Sequence, residues 1–121
     1  MRKAFSFRFV ESSSPRRFAE ARAVALVTHI LSDNAARARA FGLDNSLRLA
    51  FPAAAKTGTS KGYSDNWTVG FTWERAVAVW AGNFDGTPMI QVSGITGAAP
   101  IFKRVMGTVP AWHVRQQHNR P

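Results

Sequence analysis

At 121 residues with no cysteine, the chain has room for one modest core at most, and disulfides and thiolate metal sites are excluded. A formal charge of +9 points to polyanionic partners such as nucleic acid, anionic lipid or acidic wall polymer and leaves the fold open, while 45% apolar residues exclude disorder as the default. No apolar run approaches the roughly 18 residues of a membrane span, and Arg8 and Glu11 follow the basic start Met1-Arg2-Lys3 too soon for an export signal.

Residues 1–14 alternate Phe5, Phe7 and Phe9 with Arg8 and end in Ser12-Ser13-Ser14. The alternation could make a short strand, and without a partner strand it reads equally as a flexible basic arm. Ser14-Pro15 predicts a helix start, with serine as cap and proline at the first helical position. Ala23, Leu26, Val27, Ile30 and Leu31 then fall on one helical stripe, so this helix is expected to pack on something. Ser32-Asp33-Asn34 reads as an interruption whose short polar side chains recap a second helical stretch over residues 35–40, with Arg37 and Arg39 outward. Gly42 closes that stretch, and Asp44-Asn45-Ser46 is a turn.

Phe51-Pro52-Ala53-Ala54-Ala55-Lys56-Thr57-Gly58-Thr59-Ser60 is an apolar run ending in a cation, hydroxyls and a glycine. Pro52 suits only the first position or edge of a strand, so the strand begins near Ala53. Alternation puts Lys56 and Gly58 on one face and Thr57 and Thr59 on the other. Gly58 leaves room for another backbone or a ligand to lie close. The loop over residues 60–65 reads as a hairpin connection. Trp67, Val69 and Phe71 then alternate with Thr68, Gly70 and Thr72 in a second strand. Residues 76–82 are apolar throughout and read as a third strand covered on both faces. Short connections make the three an antiparallel meander. A last helix is expected from about Thr96, with Ala98, Ile101, Phe102, Val105 and Met106 on one face. The predicted class is α+β, a three-stranded antiparallel meander packed by N-terminal and C-terminal helices, with a flexible basic arm over 1–14, a partial domain over 15–106 and a flexible tail over 107–121.

Lys56-Thr57-Gly58-Thr59 after an apolar strand is one signature of the penicillin-recognising serine acyltransferases, alongside Ser-x-x-Lys and Ser-Asp-Asn. With Asp65-Asn66-Trp67, Val69-Gly70-Phe71-Thr72, Val79-Trp80-Ala81-Gly82-Asn83-Phe84-Asp85-Gly86 and Ser93-Gly94-Ile95-Thr96-Gly97-Ala98-Ala99-Pro100, the chain resembles the end of the transpeptidase domain of class A bifunctional penicillin-binding proteins. Ile30-Leu31-Ser32-Asp33-Asn34 and Arg39-Ala40-Phe41-Gly42 extend the likeness upstream, so that it covers roughly residues 20–106. The resemblance implies a partial serine β-lactamase/transpeptidase-like fold. It also implies a place in peptidoglycan cross-linking, with a stem peptide or β-lactam as partner, at the periplasmic face of the inner membrane. Lys56 is implied as the catalytic cation. Thr57, Gly58 and Thr59 are implied as substrate-binding, the two threonine hydroxyls taking the terminal carboxylate and the Thr59 N–H serving as an oxyanion donor. No cofactor or metal is implied.

No serine here has lysine three positions later, so the nucleophile and its base are missing. The resemblance places the serine-bearing helix upstream of the part represented, and the chain alone is expected to be an inactive fragment. Ser32-Asp33-Asn34 lies far closer to Lys56 than the family's Ser-Asp-Asn element does and is read as the helix interruption above. Plainer readings stand beside the others. A lysine on a sheet edge discourages edge pairing, tryptophans near strands are core or rim residues, and His29, His113 and His118 lack metal-ligand spacing. The rival function is a small basic α+β module binding nucleic acid or another polyanion, since nine of the sixteen cations lie at or before Arg48. A third is a broken gene product without a stable fold.

Overall fold

The computed structural model describes residues 16–108. The arm read at residues 1–14, the helix start at Ser14-Pro15, and Trp112, His113 and His118 lie outside the described residues.

The first helix, α1, runs Ala21–Ser32, not from Pro15, and residues 16–20 are non-helical. Glu20 caps it, its carboxylate accepting from the Ala23 N–H at 2.9 Å, which satisfies one of the amides a helix start leaves without a partner. Asp33 ends α1 and opens α2, Asn34–Phe41, where it accepts from the N–H groups of Ala35 and Ala36 at 2.9 and 3.0 Å. The interruption is thus the recapping that the short polar residues predict. Gly42 closes α2 at φ 81°, a value that L side chains rarely adopt. Arg37 departs from the outward placement read from the sequence. Its guanidinium folds back and donates to the carbonyls of Leu47 at 2.9 Å and Leu31 at 2.7 Å, tying both helices to the following turn. Partial burial lowers its pKa and the nearby Asp33 opposes the shift.

The sheet is a meander in the order β1-β2-β3, Ala54–Thr59, Asp65–Phe71 and Ala76–Gly82. Both pairings are antiparallel, with Lys56 opposite Val69, Thr57 opposite Thr68, and Trp67 opposite Trp80. A 3₁₀ turn, Lys61–Tyr63, joins the first pair. At the second turn the Thr72 hydroxyl accepts from the N–H groups of Glu74 and Arg75, a threonine turn beside the backbone bond from the Thr72 N–H to the Arg75 carbonyl. The last helix, α3, spans Ala98–Gly107. It reaches one residue past the domain end read at 106.

The core lies between α3 and one face of the sheet. Phe102 and Met106 are fully buried with Ala98 and Ala99, and Leu47, Ala55, Val77, Val79 and Ile95 pack around them. On this face β2 presents only Asn66, Thr68 and Gly70, all buried. A Cβ on Gly70 would lie 2.5 Å from the Phe102 ring and 2.6 Å from the Ala54 carbonyl oxygen. The glycine is where the helix ring meets the strand.

The opposite face is open over β2 and β3, although Ala54 at the start of β1 is buried there. Trp67 and Val69 are 46% and 44% exposed, and Ala76 and Ala78 are exposed. Among the described residues the third strand is therefore covered on one face only, not on both. Its alanines and valines fit a two-sided strand by composition, but α3 supplies a single layer. The α1 stripe is likewise uncovered. On it Leu26, Val27 and Ile30 are exposed and Leu31 is half-buried, Val24 beside it is exposed too, and α1 has no buried residue, although it runs alongside β1. Four such side chains, at about 1.5–3 kcal/mol for each full burial, leave several kcal/mol of hydrophobic stabilisation unrealised.

Candidate functional site

The four residues singled out in the sequence are the last four of the six in β1, at an edge of the sheet. The Ser60 N–H donates to the Asp65 carbonyl at 2.9 Å, so Ser60 and Asp65 form a hydrogen-bonded pair. In an antiparallel ladder such pairs alternate. Gly58, Lys56 and Ala54 therefore exchange bonds with β2, and the N–H and C=O groups of Ala55, Thr57 and Thr59 point off the outer edge. No other described segment pairs with that edge.

Lys56 and Thr57 stand on opposite faces, as alternation requires, yet they come together at the edge. The Lys56 ammonium donates to the Thr57 carbonyl at 2.6 Å, which brings the cation over the same outward-pointing backbone. A ligand lying along the edge would meet Lys56, the Thr57 backbone and the Thr59 N–H at once. The faces do not bring these groups together. The edge does.

The two threonine side chains are on the α3 side, beneath the loop that leads into that helix. The Thr59 hydroxyl accepts from the Gly94 N–H at 2.9 Å, which fixes its rotamer and leaves its own proton to donate. Thr57 is half-buried, and its hydroxyl makes no hydrogen bond among the described residues. Gly94 also accepts from the buried Thr68 hydroxyl at 3.2 Å. A Cβ on Gly94 would sit 2.8 Å from the carbonyl oxygens of both Gly58 and Trp67 and 3.0 Å from the Thr57 Cβ. Only a bare backbone fits there.

The close backbone approach on this strand is made by Gly94 from the Thr57 side, not through the missing side chain of Gly58. A Cβ on Gly58 would meet just the Trp67 Cβ, at 3.9 Å. Sequence reasoning gave no role to Asn66, which crosses from Thr59 in the register. Fully buried, it accepts from the Ala98 N–H at 3.0 Å and donates to the Val92 carbonyl at 3.3 Å. It caps the first turn of α3 and anchors the loop at both ends. The available signal was an asparagine alternating with a tryptophan on a strand whose next helix begins with small residues and has no side-chain cap of its own.

Trp80 donates its indole N–H to Asp65 at 2.8 Å and is half-buried, whereas Trp73 is 66% exposed. The described tryptophans, Trp67, Trp73 and Trp80, are therefore rim residues, not core. A shallow hollow of about 620 Å³ at the start of α1 is lined by Arg16, Arg17, Phe18 and Val24 among others, and by none of the β1 residues. Among the described residues no three histidine, aspartate or glutamate side chains gather as a metal site, and no helix is long and apolar enough to cross a membrane.

No family model matches the chain, and no solved structure matches it. Among curated proteins, the chain is 39% identical over 62 residues to penicillin-binding protein 1C of Escherichia coli (strain K12). The matched stretch is 51% of this chain and 8% of that much longer relative. About half of this chain is therefore related in sequence to a short stretch of penicillin-binding protein 1C.

Proposed function

We propose that the chain carries the substrate-recognition strand of a peptidoglycan D,D-transpeptidase and that its 121 residues alone are catalytically silent. The observation that carries the reading is the outer edge of β1, where Lys56 lies over the outward backbone of Thr57 beside the outward N–H of Thr59. The 39% identity to penicillin-binding protein 1C supports it independently. The arrangement fits part of a serine β-lactamase/transpeptidase-like fold.

On this reading an extended stem peptide ending in D-Ala-D-Ala lies along β1 as an added strand, held by backbone hydrogen bonds to Thr57 and Thr59. Its terminal carboxylate accepts hydrogen bonds from the Thr59 hydroxyl, already oriented by Gly94, and from the accessible hydroxyl of Thr57. The Lys56 charge strengthens both bonds. Gly58 adds no side chain beside the bound peptide. The Thr59 N–H points where negative charge develops on an attacked carbonyl, and such a donor contributes about 10²–10³ in rate where it has been removed. The attack needs a hydroxyl and a base in hydrogen-bond reach. The sequence has no Ser-x-x-Lys pair to provide them.

Two measurements test this. Titrating the chain with a peptide ending in D-Ala-D-Ala should shift the amide resonances of Thr57 and Thr59, and Lys56→Ala should abolish the shift. Incubation with a labelled penicillin should leave no label on the chain after denaturing electrophoresis. A covalent label would overturn the inactivity, and an unchanged β1 edge would overturn the recognition. The +9 charge favours the rival polyanion-binding module, and tight, salt-dependent retardation of non-specific DNA at physiological salt would favour it over the transpeptidase strand.

A further inference from the structure

The two edges of the sheet are built differently. The β1 edge is guarded, with Pro52 just before the strand and the exposed Lys56 within it. Proline and lysine are the residues that blunt edge-to-edge pairing. The β3 edge has neither. Ala76-Val77-Ala78-Val79-Trp80-Ala81-Gly82 contains no charge and no proline, it pairs with β2 without a bulge along its whole length, and no other described segment pairs with its outer side. Such a strand is a ready template for another.

The geometry fixes which groups it offers. The Thr72 N–H donates to the Arg75 carbonyl at 2.9 Å, so residues 75, 77, 79 and 81 exchange with β2. Alternation then turns the N–H and C=O groups of Ala76, Ala78, Trp80 and Gly82 outward. We propose that this edge pairs with the β3 edge of a second copy of the chain, antiparallel about a two-fold axis at Val79, joining two three-stranded sheets into one of six strands.

The sequence of β3 complements itself in that register. Ala78 falls opposite Trp80 of the second copy and Ala76 opposite Gly82, so each outward residue meets another outward residue and the large ring lies across from a small side chain. Val79 faces its own equivalent. At the ends, Arg75 comes opposite Asn83 of the second copy, two residues from Asp85. That carboxyl is held below its ordinary value by the hydroxyl and N–H of Thr87 and is ionised at neutral pH, so unlike charges meet at both ends of the pair. At the other edge of each sheet the Lys56 ammonium sits over the Thr57 carbonyl, which disfavours a second sheet of like charge there while leaving the N–H groups open to a peptide carboxylate, so the pairing closes at two copies and does not propagate. Two chains of charge +9 repel, so salt should tighten the pair by screening.

Sedimentation equilibrium of the full chain over a range of concentrations is the test, with amide hydrogen exchange as its second readout. A monomer–dimer equilibrium that strengthens with salt is expected, with the amides of Ala78, Trp80 and Gly82 gaining protection as concentration rises and those of Thr57 and Thr59 unchanged. Ala78→Lys places a charge on the exposed side of the edge and should weaken the dimer at least about tenfold while leaving the circular dichroism intact. Val69→Lys, on the same open face but in the central strand, should leave it intact. Several outcomes overturn the proposal: a folded monomer at all concentrations, open-ended aggregates, dissociation by Val69→Lys with none by Ala78→Lys, or protection of the β3 amides that does not depend on concentration. The last would mean that a strand of the same chain already occupies the edge.

Discussion

Replacing Gly94 by alanine tests how the β1 edge is held. The added Cβ would lie 2.8 Å from two backbone oxygens, those of Gly58 and Trp67, and neither can rotate away as a side-chain end could. The loop must lift instead. Lifting breaks the bond from the Gly94 N–H to the Thr59 hydroxyl, 2.9 Å, and strips the buried Thr68 hydroxyl of its acceptor, 3.2 Å away. An ordinary hydrogen bond contributes about 0.5–1.5 kcal/mol and a buried polar group left without a partner costs about 1–3 kcal/mol, which together give roughly 2–4 kcal/mol. For a domain of this size each kcal/mol moves the melting midpoint by about 4–8 °C, so a fall of at least about 10 °C is expected in a thermal melt followed by circular dichroism. Gly58→Ala is the control, since its Cβ meets only Trp67 at 3.9 Å and its φ is not in the left-handed region. That variant should be neutral or gain about 0.4–1 kcal/mol from a stiffer unfolded chain. Equal melting points for Gly94→Ala and the parent would refute the close approach and, with it, the fixed rotamer of Thr59.

Asn66→Ala leaves the Ala98 N–H and the Val92 carbonyl without partners; urea unfolding should show a loss of about 2–4 kcal/mol, and a loss below half a kcal/mol would mean that water replaces the side chain. Phe102→Ala removes the largest fully buried ring and should cost about 3–5 kcal/mol, most of the stability of a marginal domain, so the variant should lack a cooperative melt. Asp33 has its pKa lowered, chiefly by the Ala36 N–H. A lowered folded value means stabilisation present above the unfolded pKa and lost as pH falls through the folded one. Helix content by far-ultraviolet circular dichroism should therefore decline as pH drops below the ordinary 3.8, and Asp33→Asn, which still caps, should flatten that decline.

Periodicity and turn chemistry made the element order readable. Gly42 and Asp33 ended and restarted helices as residues of their kind do, and short polar connections gave the meander. What the alternation left open was which side of the sheet is inside. Trp67, Val69 and Phe71 look like a core stripe beside Asn66, Thr68 and Gly70, yet the small and polar set is the buried one. The reason lies across the sheet. Phe102 and Met106 fill the layer from α3, and the loop at residues 92–98 approaches so closely that β2 can offer only a glycine and hydrogen-bonding groups there. Size alternation identifies the two faces of a strand but does not say which is covered, because that depends on the volume the opposing element brings. Arg37 was misread for a related reason. A charged residue on a short helix defaults to solvent, but carbonyls at Leu31 and Leu47 lay within its reach.

The placement of Lys56 and the threonines has a consequence for how such a strand works. Had the proposed recognition groups shared a face, a one-residue slip of register would have hidden them all. Put at an edge, they are divided between jobs: the side chains of Thr57 and Thr59 lie toward the α3 layer, Lys56 reaches over the rim to the Thr57 carbonyl, and the outward N–H groups stay available for a new strand. The hydroxyl of Thr59 shows why the division is useful. By accepting from the Gly94 N–H it is tied to the fold through its lone pair, while its proton can still be given to a carboxylate. Thr59→Val keeps the shape and removes both functions, whereas Thr59→Ser keeps both. In the D-Ala-D-Ala peptide titration, Thr59→Ser should therefore bind within about twofold of the parent, and Thr59→Val should lose about tenfold, the equivalent of one charge-assisted hydrogen bond. Equal binding by Thr59→Val and the parent would show that the hydroxyl only braces the loop and that recognition rests on the backbone of β1.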